Sequence, residues 1–434
     1  MSARTVRFVL APLVLILVAM LCRAYGDEAE DQYRVAAGHY ARGQWDLADD
    51  EFGVFLERFP SHPNVDQGHF FLGEALVQQG RSEEAAKHFA EYLRRAPGGG
   101  FARTAAFRVG EAAYLIGRFD EARHELEAFH QAHPGDVLDG YVLGYLGQIA
   151  LARHDATTAA ERFGEALRQS PDGQLGRGCR MGLARSLEKL GKTQEALELY
   201  DALTAEGSGL IAAEARFRLG GLQYTRGAYD KAVATLGALD DDPAATAWRP
   251  RARLVRALAL RKLGQLDQAA ALLAELGSDA TVEVESQYWL AAVRKDQRQW
   301  DAAAKMLLAA AQKHPDHRWI AAIRFHAGHA LLMAGRPAEA ATQFDLVLDR
   351  SANDDPWLDD AAMGKIQVAL AEKDPAAVDR QAEQFLKRFP KSPLTSNVRR
   401  AWAGSLLARG ENARAVELLE NFSGTAPTDD SAVA

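Results

Sequence analysis

Apolar residues in this chain fall in paired runs at three- and four-residue spacing, which is the signature of helices with one buried side. The segment His69–Leu76 reads as an apolar helix and Glu83–Arg95 as an amphipathic one, with Gly80 between them. The same grammar returns downstream. Gly73–Ala85 reappears as Gly110–Ala122, a shift of 37 residues. Following the turn position gives Gly43, Gly80, Gly117, His154, Gly191, Gly227, Gly264, Arg298, Gly335, Glu372 and Gly410. The steps are 37 residues almost throughout, with 36, 34 and 38 as exceptions, so eleven units run from about Asp31 to Pro427. A period in this range predicts stacked supersecondary units.

Glycine suits the turn because it accepts positive φ at a helix C-terminus. Many units close on proline, such as Pro60, Pro97, Pro134 and Pro390, which stops the second helix. Five residues past the turn stands alanine in every unit, from Ala48 and Ala85 through Ala340 and Ala377 to Ala415. Nine residues past it most units place a bulky side chain, including Phe52, Phe89, Leu126, Phe163, Tyr200 and Phe344. The small residue lets two helices approach and the large one fills the space beside them. The tenth unit is the least regular: Glu372 takes the turn, Pro375 follows as a first-turn proline, and Gln381 stands in the bulky slot.

These residues resemble the tetratricopeptide repeat family. The match is Leu72, Gly73, Gly80, Ala85, Phe89 and Pro97 at the family's spacing, repeated along nearly the whole chain. The family unit of 34 residues is here stretched to a period of 37, mostly in the loops between units. Joints such as Phe59–Pro63 and Phe389–Pro393 are most like the repeats of envelope proteins, the outer-membrane-assembly lipoproteins and the Tol–Pal-associated division coordinators. The resemblance implies an all-α, right-handed superhelical solenoid of about eleven helix–turn–helix repeats, with first helices lining a concave face. It implies binding of other proteins or peptides there. The positions that the alignment projects onto that face are Phe70, Glu74, Gln78, Phe107, Glu111, Leu115, Phe217, Tyr224, Tyr288, Phe325 and His329. Rings would supply contact area and polar groups register. The competing reading is that the five Phe and Tyr residues recurring in one slot, Phe70 to Phe325, pack between units.

The first residues add a destination. Arg4 and Arg7 precede an apolar run, Phe8–Cys22, and Ala24 and Gly26 then precede Asp27. Residues 1–26 read as a signal peptide with cleavage before Asp27. The alternative is an uncleaved anchor over residues 8–22, the chain's one expected contact with a membrane. Leu21 before Cys22 argues against lipidation. In both cases the array, residues 27–427, is expected outside the cytoplasm, periplasmic or secreted, with 428–434 as a disordered tail.

Composition narrows the function class. The 434 residues are 48% hydrophobic and 25% charged, with 15 prolines and a net charge of −8. An acidic chain does not attract phosphate backbones, so nucleic acid is not expected. One cationic patch departs from that average: Arg249, Arg253 and Arg256 share a helix face. It would take an acidic partner segment or an anionic head group, or pair with the nearby Asp240–Asp242. Cys179 is the one cysteine outside the leader, too few for a disulfide framework or a thiolate metal site. No H-E-x-x-H, C-x-x-C-H or G-x-S-x-G motif occurs, so no cofactor, metal or catalytic group is expected. The chain reads as a non-catalytic scaffold whose oligomeric state is open. A hydrolase built as an α/α toroid is the enzymatic alternative, and no carboxylate pair stands out for it.

Overall fold

The computed structural model describes residues 28–350, 352 and 354–420. The leader with its anchor alternative, Cys22 and the tail 428–434 lie outside the described residues. Among the described residues the regular structure is helical: twenty-two α-helices, two short 3-10 turns and no strand. No described helix is long and apolar enough to cross a membrane.

Two compact units divide at Gly207 and Ser208. The first holds repeats 1 to 5, each a first and a second helix: 28–41 with Trp45–Arg58, Val65–Gln78 with Ser82–Arg95, Ala102–Leu115 with Phe119–Ala132, Asp139–Ala152 with Ala156–Gln169, and Gly173–Lys189 with Thr193–Ala205. The second holds repeats 6 to 11: Leu210–Thr225 with Tyr229–Gly237, Arg249–Lys262 with Leu266–Glu275, Glu283–Asp296 with Trp300–Lys313, Ile320–Met333 with Pro337–Arg350, Leu358–Ala371 with Pro375–Arg388, and Thr395–Ala408 with Asn412–Glu420. Inside each unit every helix packs on the next in sequence, and first helices of adjacent repeats also touch one another. First helices therefore form the closer-packed, inner layer of each stack. The 34-residue step from Gly264 to Arg298 follows from the short second helix Leu266–Glu275, which ends in the 3-10 turn Leu276–Ser278.

The turns have the left-handed backbone that the glycines imply, with φ between 68° and 80° from Gly43 to Gly410. Where glycine is missing, His154, Arg298 and Lys373 take the same conformation at 62°, 59° and 57°. The tenth turn residue is thus Lys373, one place later than the Glu372 expected from spacing. The slip moves the whole frame. Five residues past Lys373 stands Val378, 1% exposed, while Ala377 is only half-buried, and nine past it stands Ala382, fully buried. Pro375 opens the second helix two residues past the turn, as in the other repeats, so that helix starts on time.

Packing explains the small and large slots. Seven residues before the turn the first helix carries glycine in repeats 2, 3, 4, 6 and 9, directly under the bulky residue of its own second helix. A Cβ on Gly73 would meet Phe89 at 2.8 Å, and one on Gly110 would meet Leu126 at 2.7 Å. Phe163 reaches further, lying against Gly147 of its own repeat and Gly182 of the next. In repeat 10 the sizes are exchanged: the first helix carries Ile366 and the second Ala382, both fully buried in one cluster. Gln381 lies one place before this slot because of the slip in the turn.

Candidate functional site

The inner layer of the first unit carries a polar ladder over buried rings. Phe70 and Phe107, at 5% and 4% exposure, lie within the stack. Phe70 stacks on Phe101 at 4.3 Å between centroids, and Phe107 packs beside Phe129, Tyr141 and Tyr145. Above them Arg108 donates to both oxygens of Glu74 in the preceding repeat, at 2.7 and 3.0 Å, and to Glu111 at 2.5 Å. Tyr145, from the next repeat, donates to the other Glu111 oxygen at 2.8 Å. Burial pushes the Tyr145 hydroxyl well up, with the Glu111 charge adding to it. The hydroxyl therefore stays protonated and acts as a donor. Gln78 and Leu115 stand exposed at the ends of their first helices, Leu115 at 55%.

One repeat on, the ring slot of Phe70 and Phe107 is Gly144, and a hollow of about 390 Å³ opens there between the first helices of repeats 4 and 5. Tyr141, Tyr145 and Gln148 form one wall, Gln174 and Leu175 the other, and Cys179 lies at the base with Phe163. Cys179 is buried, and burial pushes its thiol up to about 11, so it presents a neutral surface.

In the second unit the remaining projected residues are half-buried. Phe217 packs against the cluster holding Leu236 and Leu239, and Tyr224 lies beside Tyr229 at 5.6 Å. Tyr288 and Phe325 pack on the core of repeats 8 and 9, with Phe325 stacked on Trp357 at 5.1 Å. His329, its Nδ1 buried without a partner, lies near Trp300. Between these rings Lys295 donates to His326 Nδ1 at 3.0 Å. Burial lowers both pKa values, and the neighbouring charge of Arg261 on Lys295, and of Lys295 on His326, lowers them further.

The arginine patch is brought together over its own loop. Arg253 and Arg256 share Asp240 at 2.7 and 2.6 Å, and Arg249 donates to the carbonyls of Leu239 and Asp242. Its charge is largely engaged by the loop that joins repeats 6 and 7. Sequence reasoning passed over Tyr141, Tyr145, Gln148, Lys295 and His326. The available signal for the first three was a glycine in a slot that elsewhere holds a ring.

A tetratricopeptide repeat profile matches residues 33–100, 181–246 and 288–356, in three separate stretches of the same helical grammar. Those three stretches carry the tetratricopeptide repeat pattern, and the helical repeat of the structure fits it. No curated protein matches the sequence. Among solved structures, the chain is similar to a tetratricopeptide repeat protein from Parabacteroides merdae, at 19% identity and a TM-score of 0.44, over 63% of this chain and 100% of that one. It is also similar to PilF of Pseudomonas aeruginosa, at 20% identity and a TM-score of 0.39, over 49% of this chain and 91% of that one. Yeast Tom70 matches at 14% identity and a TM-score of 0.39, over 93% of both chains. Tetratricopeptide arrays generally mediate protein–protein interaction.

Proposed function

We propose that this protein is an exported, non-catalytic scaffold of the cell envelope that binds partner peptides or proteins along its first helices. The observation that carries the reading is the pattern of exposure on that layer. The rings Phe70 and Phe107 are spent on the stack, whereas Leu115, Tyr141, Met333 and Leu407 leave large apolar surface in water beside polar groups. Exposed apolar side chains next to hydrogen-bonding groups are what a partner chain requires. Export rests on the leader, with its basic start, apolar run and small residues before Asp27. The likeness of the Phe-Pro joints to those of envelope proteins supports the compartment and adds outer-membrane assembly or division as the setting. The second reading, a membrane-anchored assembly component, rests on the apolar run Phe8–Cys22 remaining uncleaved.

Two measurements test this. N-terminal sequencing of protein from the envelope fraction is expected to begin at Asp27; an intact leader supports the anchored form, and retention in the cytoplasm removes both. Crosslinking capture from that fraction, repeated with Leu115→Arg and Met333→Arg, is expected to lose the same partner. Undiminished capture by both variants would place binding off the first helices.

A further inference from the structure

We propose that the protein pairs with a second copy of itself along one edge of its second unit, where an acidic joint and a basic joint stand side by side. This contact is separate from the binding layer proposed above and lies where second helices end and first helices begin.

Three repeats close this edge with an ion pair of their own. Arg58 pairs with Glu28, Arg95 with Asp66 at 2.6 Å, and Lys313 with Glu283. Each pair joins the end of a second helix to the start of the first helix of the same repeat. In repeat 10 the positions of Asp66 and Arg95, counted from the turns at Gly80 and Lys373, hold Asp359 and Arg388. These two do not pair. Asp359 accepts from Ser392 Oγ at 2.6 Å and from the Asp360 amide at 3.0 Å, while Arg388 lies over the Phe389 ring at 5.1 Å. Repeat 10 therefore leaves both signs of charge open on its edge.

The surplus extends into the joints on either side, with opposite sign. Leading into repeat 10, Asp349, Asp354 and Asp360 have no cation within ion-pair distance among the described residues. Burial, and then the Asp359 charge, raises the Asp360 carboxyl, so like charges crowd there. Leading out of it, Lys387, Lys391 and Arg400 are exposed, and among the described residues no carboxylate lies within ion-pair distance of them. The Ser392–Asp359 hydrogen bond holds the two joints next to each other. A two-fold axis between them sets each basic joint on the acidic joint of the other copy, so one patch supplies both halves of an isologous contact. Exposed Pro356, Pro390 and Pro393 stand among the charges and add apolar area. A partner of one sign only would leave half of this edge facing like charge.

Sedimentation equilibrium of the purified protein over a concentration series tests the pairing. Dimers are expected, and their association should weaken about tenfold or more between about 50 mM and about 500 mM NaCl. Lys387→Glu with Lys391→Glu makes both joints acidic, and Asp349→Lys with Asp354→Lys makes both basic. Each variant is expected to lose self-association by about tenfold or more at low salt, and an equimolar mixture of the two to regain it as a heterodimer. If either does not fold, the single changes Lys391→Glu and Asp354→Lys carry the same cycle, with losses of about threefold. A monomer at every concentration overturns the proposal, as does association indifferent to salt and to both reversals. A mixture of the two folded variants that stays monomeric overturns it as well. Binding of phosphatidylglycerol vesicles by a parent that remains monomeric would give the basic joint to a lipid surface instead.

Discussion

Arg108 holds Glu74 by two parallel hydrogen bonds, of 2.7 and 3.0 Å, across the boundary between repeats 2 and 3. The pair sits 34 residues apart, and Glu74 is buried. A carboxylate removed from water in this way depends on its partner, because its desolvation is compensated only by the guanidinium. Arg108→Met is expected to destabilise the first unit by about 2–3 kcal/mol. The double variant Glu74→Gln with Arg108→Met is expected to recover part of that, since only Glu111, still held by the Tyr145 hydroxyl, then lacks the guanidinium. Urea unfolding of the three proteins checks it; equal losses in the single and double variants would mean that the pair only decorates the surface.

Repeat 10 inverts the size rule that governs the others. Placing phenylalanine at Ala382 against an unchanged Ile366 overpacks a closed site, at a cost of about 1–3 kcal/mol. Ile366→Gly alone leaves a void. Together, Ala382→Phe and Ile366→Gly rebuild the arrangement of Gly328 with Phe344, whose ring would meet a Cβ on that glycine at 2.7 Å. A double-mutant cycle is expected to show favourable coupling of about 1 kcal/mol or more. Strict additivity would show that the two positions do not share one space.

The repeat itself was legible because its constraints are local. Alanine at positions such as Ala85 and Ala122 is demanded by helix approach inside one hairpin, and glycine by a turn of fixed geometry. Repeat 10 was misread by one place because Lys373 takes the left-handed turn without glycine to mark it. The burial of Phe70 was harder to see, since the ring that covers it, Phe101, comes from the loop of the next unit. The hollow at Gly144 needs several slots to be empty together. Turn spacing shows the empty slots, but only the contacts between neighbouring repeats show that they meet around one hollow.

Three turns carry side chains in the left-handed region, where an L-residue other than glycine is strained. His154, Arg298 and Lys373 are each exposed there, at φ of 62°, 59° and 57°. Replacing each by glycine is expected to stabilise its unit by about 0.5–1 kcal/mol, the relief of strain being partly offset by the freer unfolded chain. Thermal unfolding should show small, additive gains for Arg298→Gly and Lys373→Gly, which lie far apart. A loss at any of the three would mean that the side chain makes contacts worth more than its backbone costs.

The Lys295–His326 pair gives the second unit a defined response to acid. His326 lies among Tyr288, Phe325 and Trp357, with Lys295 Nζ 3.0 Å from its Nδ1. Burial, then the charges of Lys295, His329 and Arg261, lower its pKa from 6.5 to about 3. The unfolded chain therefore binds more protons at this site than the folded one between those two values. Stability from the neutral ring is complete above pH 6.5 and is lost as the pH falls toward 3. His326→Phe removes the titrating group and keeps a ring in the aromatic cluster. Its unfolding midpoint should decline less than that of the parent between about pH 7 and 4.5, the two curves converging by an amount on the order of 1–2 kcal/mol. His69, lowered to about 4 chiefly by burial and then by His88, predicts the same sign in the first unit, so His69→Phe serves as the matched control. Parallel curves for His326→Phe and the parent would show that protonation of this ring does not oppose the fold.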